Sequence, residues 1–238
     1  MKKLVFGLIA MVVFGSLSYG QEVNPENYYG FHNKSLNVIM KDIQTNKDKY
    51  LESKEPISLA LDFYKNYAES NFKSNWDSKE LSIFLENFNK FDYNTNTDFK
   101  RLTSNSYYLQ LVEITNSDNN IEEVQRQIDD LIQNLEKETT MEKVDKVALK
   151  SAMLVGKESF EFWNSVDKER LSEIRLIFSP SSSSTNKMNK YLKSDIEGAI
   201  SGAICGAFTG GPAGAAVGAM LGAPWGSAVS GFMDHFVW

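Results

Sequence analysis

Cysteine and histidine are scarce in this sequence of 238 residues, which has one cysteine, Cys205, and two histidines, His32 and His235. A single cysteine excludes an internal disulfide, so the fold depends on packing, although an intermolecular bridge stays open. A histidine triad or multi-histidine metal site would need both ends of the chain to converge. No nucleophile elbow or Walker loop is present, and Cys205 lies in apolar sequence typical of a packing residue. The sequence therefore predicts a non-enzymatic protein with no catalytic residue, metal or cofactor.

Positive charge is in deficit. The formal net charge is -6, and removal of a signal segment with two lysines would make it more negative. A chain of this charge is repelled by nucleic acid and by anionic surfaces, so we expect neither as a partner of its main body. With 42% hydrophobic and 24% charged residues, the composition is that of a globular protein with a proper core.

The first 20 residues have the pattern of a signal peptide for the Sec pathway. Lys2 and Lys3 precede an apolar run of 11 residues from Leu4 to Phe14, and Ser18 and Gly20 supply small residues for cleavage before residue 21. A retained anchor is the alternative, but 11 residues are too few to cross a hydrocarbon core of about 30 Å. No cysteine lies near the cleavage site for lipid attachment. We expect the protein in the periplasm, the outer membrane, the cell surface or the medium.

Residues 21–179 are predicted to form a helical body. Apolar residues recur every three or four positions through most of it, and the clearest stripe contains Ile121, Val124, Ile128, Leu131, Ile132 and Leu135. Residues 102–114 fit a helix by spacing or a strand by alternation, and we favour the helix. Pro180 and the serine tract that follows end this pattern, so residues 180–193 are predicted to be a linker. The predicted fold class is all-α, with a Gly/Ala-rich C-terminal helical hairpin over residues 194–238.

The C-terminal segment carries glycine at every fourth position, a pattern that chance does not produce. No charged residue lies between Glu197 and Asp234, and the repeated glycines are Gly198, Gly202, Gly206, Gly210, Gly214, Gly218, Gly222 and Gly226. Small residues at this spacing form one side of a helix and let a second helix approach until the backbones touch. Each glycine costs a helix in water about 1 kcal/mol relative to alanine, whereas lipid forces the helix to form. The pattern favours a helix-packing function in or against a membrane.

A turn is predicted at Gly210, Gly211 and Pro212, which would fold the segment into a hairpin with a kink at Pro224. The first arm, of about 15 residues, would reach only about 22 Å, so the hairpin would insert partway, thin the bilayer or oligomerise. Aromatic residues near the end of the chain are predicted to lie at a membrane interface: Trp225, Phe232, Phe236 and Trp238. The alternative for them is a cap packed on the helical body.

The stretch GAISGAICGAFTGGPAGAAVGAMLGAPWG resembles the glycine zipper of bacterial envelope proteins with two short membrane helices, such as the outer-membrane surface antigens of the rickettsial type. It is also similar to the Gly/Ala-rich helices of class II bacteriocins. The similarity covers about residues 195–231, and it implies a hairpin that acts in a membrane. The body resembles no family that we identify.

Three functions follow from these patterns. The first is an exported, non-enzymatic envelope protein whose hairpin associates with membrane lipid and self-associates through its zipper. The second is a bacteriocin-like protein whose zipper permeabilises a membrane after the helical body, cut in the linker, releases it. The third is a soluble exported helical binding protein whose hairpin packs on the body, which the modest hydrophobicity of a Gly/Ala-rich segment allows.

Overall fold

The computed structural model describes residues 24–53, 55–72, 78–165 and 187–233. A 3₁₀ turn, Pro25–Tyr28, precedes nine α-helices, and no strand occurs within these ranges. The helices are α1 (Phe31–Thr45), α2 (Lys47–Glu52), α3 (Pro56–Phe72), α4 (Ser78–Asn89), α5 (Thr97–Thr103), α6 (Ser106–Thr115), α7 (Ile121–Lys137), α8 (Lys143–Ser165) and α9 (Lys187–Met233). The all-α prediction is confirmed. The predicted signal segment 1–20 and residues 180–186 of the predicted linker lie outside the described residues.

Asparagine caps set the starts of three body helices. The side chain of Asn96 accepts a hydrogen bond from the backbone N–H of Phe99 at 2.8 Å, and Asn120 caps α7 in the same way. Asn105, the cap of α6, divides the segment of ambiguous pattern into two helices, α5 and α6. Each cap satisfies a backbone N–H that has no partner within its own helix. The helical alternative is therefore confirmed for residues 106–114, with an interruption that the spacing did not predict.

Helix α9 begins at Lys187, so residues 187–193 are helical where the sequence predicted a linker. The physical reason is the packing of Tyr191 and Leu192, which follow directly, against the body. Leu192 is 2% exposed, and the ring of Tyr191 stacks on that of Trp163 with centroids 4.7 Å apart. These apolar contacts stabilise the helix that begins at Lys187.

Helix α9 is broken at Gly210 and Gly211, which have backbone angles outside the helical region, with φ = 56° at Gly211. Left-handed φ of this kind favours glycine, which has no Cβ to clash. We name residues 187–209 arm 1 and residues 212–233 arm 2; together they are the hairpin. Arm 2 stays helical through Pro224, where the sequence predicted a kink.

The hairpin lies at the centre of the protein rather than beside it. The hairpin as a whole contacts α8 most extensively, and it also contacts α4, α1, α5, α3, α6 and the 3₁₀ turn. Buried residues of the body and of both arms belong to one hydrophobic core. Body and hairpin therefore each form part of the core of the other.

Candidate functional site: an enclosed glycine hairpin

The two arms pack backbone against backbone through their glycines. A Cβ at any of six zipper positions would lie less than 3 Å from a carbonyl oxygen of the opposite arm: Gly198, Gly202, Gly206, Gly218, Gly222 and Gly226. Real Cβ atoms do not approach backbone oxygens so closely, so these positions accept only glycine. The close approach gains van der Waals contact along the length of both arms.

The register of the zipper is symmetric about the turn. Gly198 faces Gly222, Gly202 faces Gly218, and Gly206 faces Gly214. Gly210, the fourth-position glycine between them, lies in the turn itself. Each glycine of arm 1 meets a glycine of arm 2. The fourfold glycine repeat therefore serves packing between two arms of the same chain.

The zipper ends with a serine that the glycine pattern did not include. Gly226 faces the backbone carbonyl of Ser194, four residues before Gly198. Ser194 therefore continues the stripe of small residues by one helical turn. A search for small residues in general, rather than for glycine alone, would have included it.

The outer surfaces of the arms are apolar and almost fully buried beneath the body. Among the apolar residues of arm 1 that face away from the zipper, Phe208 beside the turn is exposed. Five others are no more than 6% exposed, namely Ile196, Ala199, Ile200, Ala203 and Ile204. Arm 2 is covered equally, with Ala215, Ala216, Val217, Ala219, Met220, Leu221 and Ala223 at 3% or less. Cys205 is 2% exposed, and burial raises the pKa of its thiol to about 12, so it is a neutral packing residue.

Trp225 is the one predicted interface aromatic whose side chain lies in the described part of the chain. It is partly buried, packs against the main core, and lines an apolar cleft with Leu61, Tyr64, Phe84 and Phe88. In this state of the protein it is part of the cap on the body, which was the alternative considered for these aromatics. The side chains of Phe232, Phe236 and Trp238 lie outside the described residues.

Polar contacts also attach the hairpin to the body. The hydroxyl of Tyr64 donates to the carbonyl oxygen of Leu221 at 3.0 Å within the core, and that of Tyr108 donates to Glu197 at 3.2 Å. A larger contact lies at the base of arm 1, where the carboxylate of Asp195 is fully buried. Oδ2 of Asp195 accepts from Ser159 at 2.6 Å and from Trp163 Nε1 at 2.9 Å.

His32 of α1 completes this buried contact. Its Nε2 lies 3.2 Å from Oδ2 of Asp195, and neither side chain is exposed. Glu158 of α8, 1% exposed, lies beside them and accepts from the backbone N–H of Gly30 at 2.7 Å and of Asn33 at 3.4 Å. We name His32, Glu158 and Asp195 the buried triad. The sequence does not predict this triad, because its members lie far apart in the chain and belong to no motif.

The buried triad does not have the geometry of a nucleophilic site. Ser159 donates to Asp195 rather than to His32, so the histidine is not placed to take the proton of the hydroxyl. No group of three or more metal-ligating side chains with suitable geometry occurs in the described part of the chain. What the arrangement can do is hold three elements together, namely α1, α8 and arm 1.

One helix in the described ranges is long and apolar enough to cross a membrane by length and composition. This segment is Tyr191–Gly226. An 18-residue window within it has a mean hydropathy of 1.4, and 61% of that window is buried in the fold. The core helix of a soluble protein passes the same test. Comparison with protein-family models, with curated proteins and with solved structures gives no match for this chain. The geometry of the hairpin is therefore the basis on which a function is proposed.

Replacement of Gly202 by alanine tests the backbone packing. The new Cβ would meet backbone atoms of Gly218, which cannot rotate away, and overpacking of a core costs about 1 to 3 kcal/mol or more. That loss exceeds the gain of about 1 kcal/mol that alanine brings to a helix. We expect Gly202→Ala to lower the free energy of unfolding by about 2 kcal/mol, measured by urea denaturation.

Gly156 in α8 supplies the matched control. A Cβ there meets only side-chain atoms, of which the nearest are Leu111 Cδ1 at 3.1 Å and Ile196 Cδ1 at 3.4 Å, and side chains can move where a backbone cannot. Gly156→Ala should change stability by less than about 1 kcal/mol, because the gain in helix propensity offsets the crowding. Equal losses for the two variants would contradict the account of the zipper.

Proposed function

We propose that this protein is an exported, non-enzymatic, membrane-active protein that stores a glycine-zipper hairpin inside its helical body and transfers it to a lipid bilayer when the body opens. This combines the membrane hairpin expected of an envelope protein with the restraining body expected of a bacteriocin-like one. The observation that carries it is the closed pairing of the two arms within an apolar sheath of helices.

The hairpin can leave the body without losing its own packing. Its zipper contacts run from arm to arm, and its backbone hydrogen bonds lie within each helical arm, so both survive separation from the sheath. What the separation exposes is the Ala, Ile, Val, Leu and Met surface of the arms, which water disfavours and lipid accepts. The contacts that break are those of α8 and its neighbours with the outside of the hairpin.

Charge along the hairpin sets the direction of entry. Arm 1 carries Lys193, Asp195 and Glu197 near its base, whereas no charged residue lies from Gly198 through the turn to the end of arm 2. A charged side chain at the bilayer centre costs about 2.5 to 3.5 kcal/mol, so insertion with the turn leading is favoured. Phe208, beside the turn, is already 74% exposed and is the first large apolar side chain that a bilayer would meet.

The lengths of the arms favour partial insertion. The charge-free part of arm 1, residues 198–209, spans about 18 Å, while arm 2 spans about 33 Å. A typical hydrocarbon core is about 30 Å thick, so both arms can cross only if the bilayer thins or several hairpins associate. Because the glycines of each arm already face the other arm, such self-association would use the outer Ala and Ile surfaces.

A second candidate is a soluble exported helical binding protein with the hairpin as its permanent core. The near-complete burial of the arms favours it, since the sheath alone removes their apolar surface from water. An apolar cleft of about 170 Å³ beside Trp225 offers this candidate a ligand site. The two candidates differ in one consequence, which is whether the turn of the hairpin ever enters lipid.

A charge at residue 208 tests entry of the turn. Phe208→Asp should fold normally, because the side chain is 74% exposed, but it should reduce association with phosphatidylcholine vesicles about a hundredfold. The measurement is co-sedimentation and dye release with the full-length chain lacking its predicted signal segment 1–20, over a range of pH and temperature that opens the body.

Leu109→Asp is the matched control, because Leu109 is 55% exposed on α6. It should leave vesicle association within about twofold of the parent protein. Equal losses in the two variants would indicate general surface hydrophobicity rather than entry of the turn. A parent protein that never associates with vesicles would favour the soluble binding protein instead.

A further inference from the structure

The buried triad joins the hairpin to the two body helices that cover its base. His32 is contributed by α1, Glu158 by α8 and Asp195 by arm 1, and none of the three side chains is more than 1% exposed. The network brings two carboxyl groups and one imidazole together in the core. Oδ2 of Asp195 accepts hydrogen bonds from Ser159 and Trp163 and lies 3.2 Å from His32 Nε2 in an ion-pair contact. Oδ1 of Asp195 and Nε2 of His32 are both buried without an aligned hydrogen bond among the described residues.

Both ring nitrogens of His32 face acceptors. Nε2 is 3.2 Å from the Asp195 carboxylate, and Nδ1 is 2.9 Å from the side-chain oxygen of Asn33. A neutral imidazole has only one N–H donor, whereas the imidazolium has two. Protonated His32 therefore gives the buried Asp195 carboxylate a positive partner at 3.2 Å, and loss of the proton would remove that partner.

We propose that the buried triad is a proton-controlled latch: protonated His32 holds Asp195 at the base of arm 1 against α1 and α8, and loss of that proton loosens the hairpin from its sheath. Release to lipid as the consequence depends on the proposed function. The latch itself does not, because its opening is measurable without any membrane.

The titratable groups that face His32 from the packed elements are Asp195 of arm 1 and Glu158 of α8. Burial alone would lower the pKa of His32, but these two carboxyl groups outweigh it and raise the pKa above the ordinary value of 6.5. Burial raises the pKa of Glu158 above 4.5, against the opposing effects of His32 and of the backbone N–H groups of Gly30 and Asn33.

The sign of the pH dependence follows from these directions. Between 6.5 and its raised folded pKa, His32 holds more proton in the folded than in the unfolded protein, so stability falls as pH rises. Above the folded pKa that contribution is lost. Glu158 acts with the same sign over a range that begins at 4.5, so the latch is closed at mildly acidic pH and weakens toward alkaline pH.

The test is the urea midpoint of the full-length chain without residues 1–20, measured from about pH 6 to pH 9 in the absence of lipid. We expect the midpoint to fall with rising pH, and His32→Gln to lower it at pH 6 by about 1 M and remove most of the pH dependence above 6.5. His235→Gln, at the other histidine of the chain, should retain the full dependence.

Labelling of Cys205, the sole cysteine, with a thiol reagent at one fixed pH locates the opening. Cys205 is buried in arm 1, so His32→Gln should increase its labelling rate at least tenfold if the latch controls the hairpin. The labelling rates of the parent protein and of His32→Gln are compared at pH 6, with and without a low concentration of urea. The comparison remains informative if the variant is less stable than the parent.

Three results would overturn the latch. They are a urea midpoint of the parent protein that is constant above pH 6.5, a dependence that survives in His32→Gln but disappears on further change of Glu158→Gln, and a dependence that His235→Gln removes. A pH dependence assigned to His32 together with no vesicle association would keep the latch and reject the proposed membrane function.

Discussion

The approach of two helix backbones through paired glycines is the constraint on which the rest of this fold depends. Six zipper positions leave no room for a Cβ, so the arms can pack only in one register, symmetric about the turn at Gly210 and Gly211. Once the arms are fixed, their outer Ala and Ile surfaces define one continuous apolar column. The body helices are arranged to cover that column, with α8 as its most extensive neighbour.

Glycine makes this column unstable by itself in water. At about 1 kcal/mol for each glycine relative to alanine, two arms with eight glycines would not remain helical without burial of their outer faces. A body of helices removes that surface from water, and a bilayer would remove it equally well. The hairpin is therefore suited to two environments, which is the physical basis for a protein that stores it in one and delivers it to the other.

The buried triad lies at the base of the hairpin, where the zipper ends. Ser194 and Gly226 form the last small-residue contact there, and Asp195 lies directly beside it. Removing one partner of a buried ion pair destabilises a protein by about 3 to 5 kcal/mol, because the other charge stays in the core. A change in one proton at this position can thus influence the attachment of the whole arm.

Much of the hairpin was predictable from the sequence, because its pattern is local. Glycine at every fourth position and the Gly210-Gly211-Pro212 turn define both arms. The environment of the arms was not predictable, since Ala, Ile and Gly surfaces suit a bilayer and a helical sheath equally. The helical start of α9 is stabilised by the contact of Tyr191 with Trp163, and the buried triad joins residues of three distant segments, so neither leaves a periodic signal. Asn105, which separates α5 from α6, could not be recognised as a helix cap from the sequence, because residues 102–114 also fit the pattern of a strand.

Hydrogen–deuterium exchange with and without phosphatidylcholine vesicles tests the central claim most directly, because it follows hairpin and sheath in the same molecule. The account predicts that lipid accelerates exchange in α8 and α4, which lose their contacts with the arms, while residues 198–226 stay protected as helices within the bilayer. Exchange that is unchanged by lipid in every helix would contradict it and would leave the hairpin as a permanent core. Loss of protection in the arms together with α8 would contradict it as well, since the zipper would then depend on the body rather than on its own glycines.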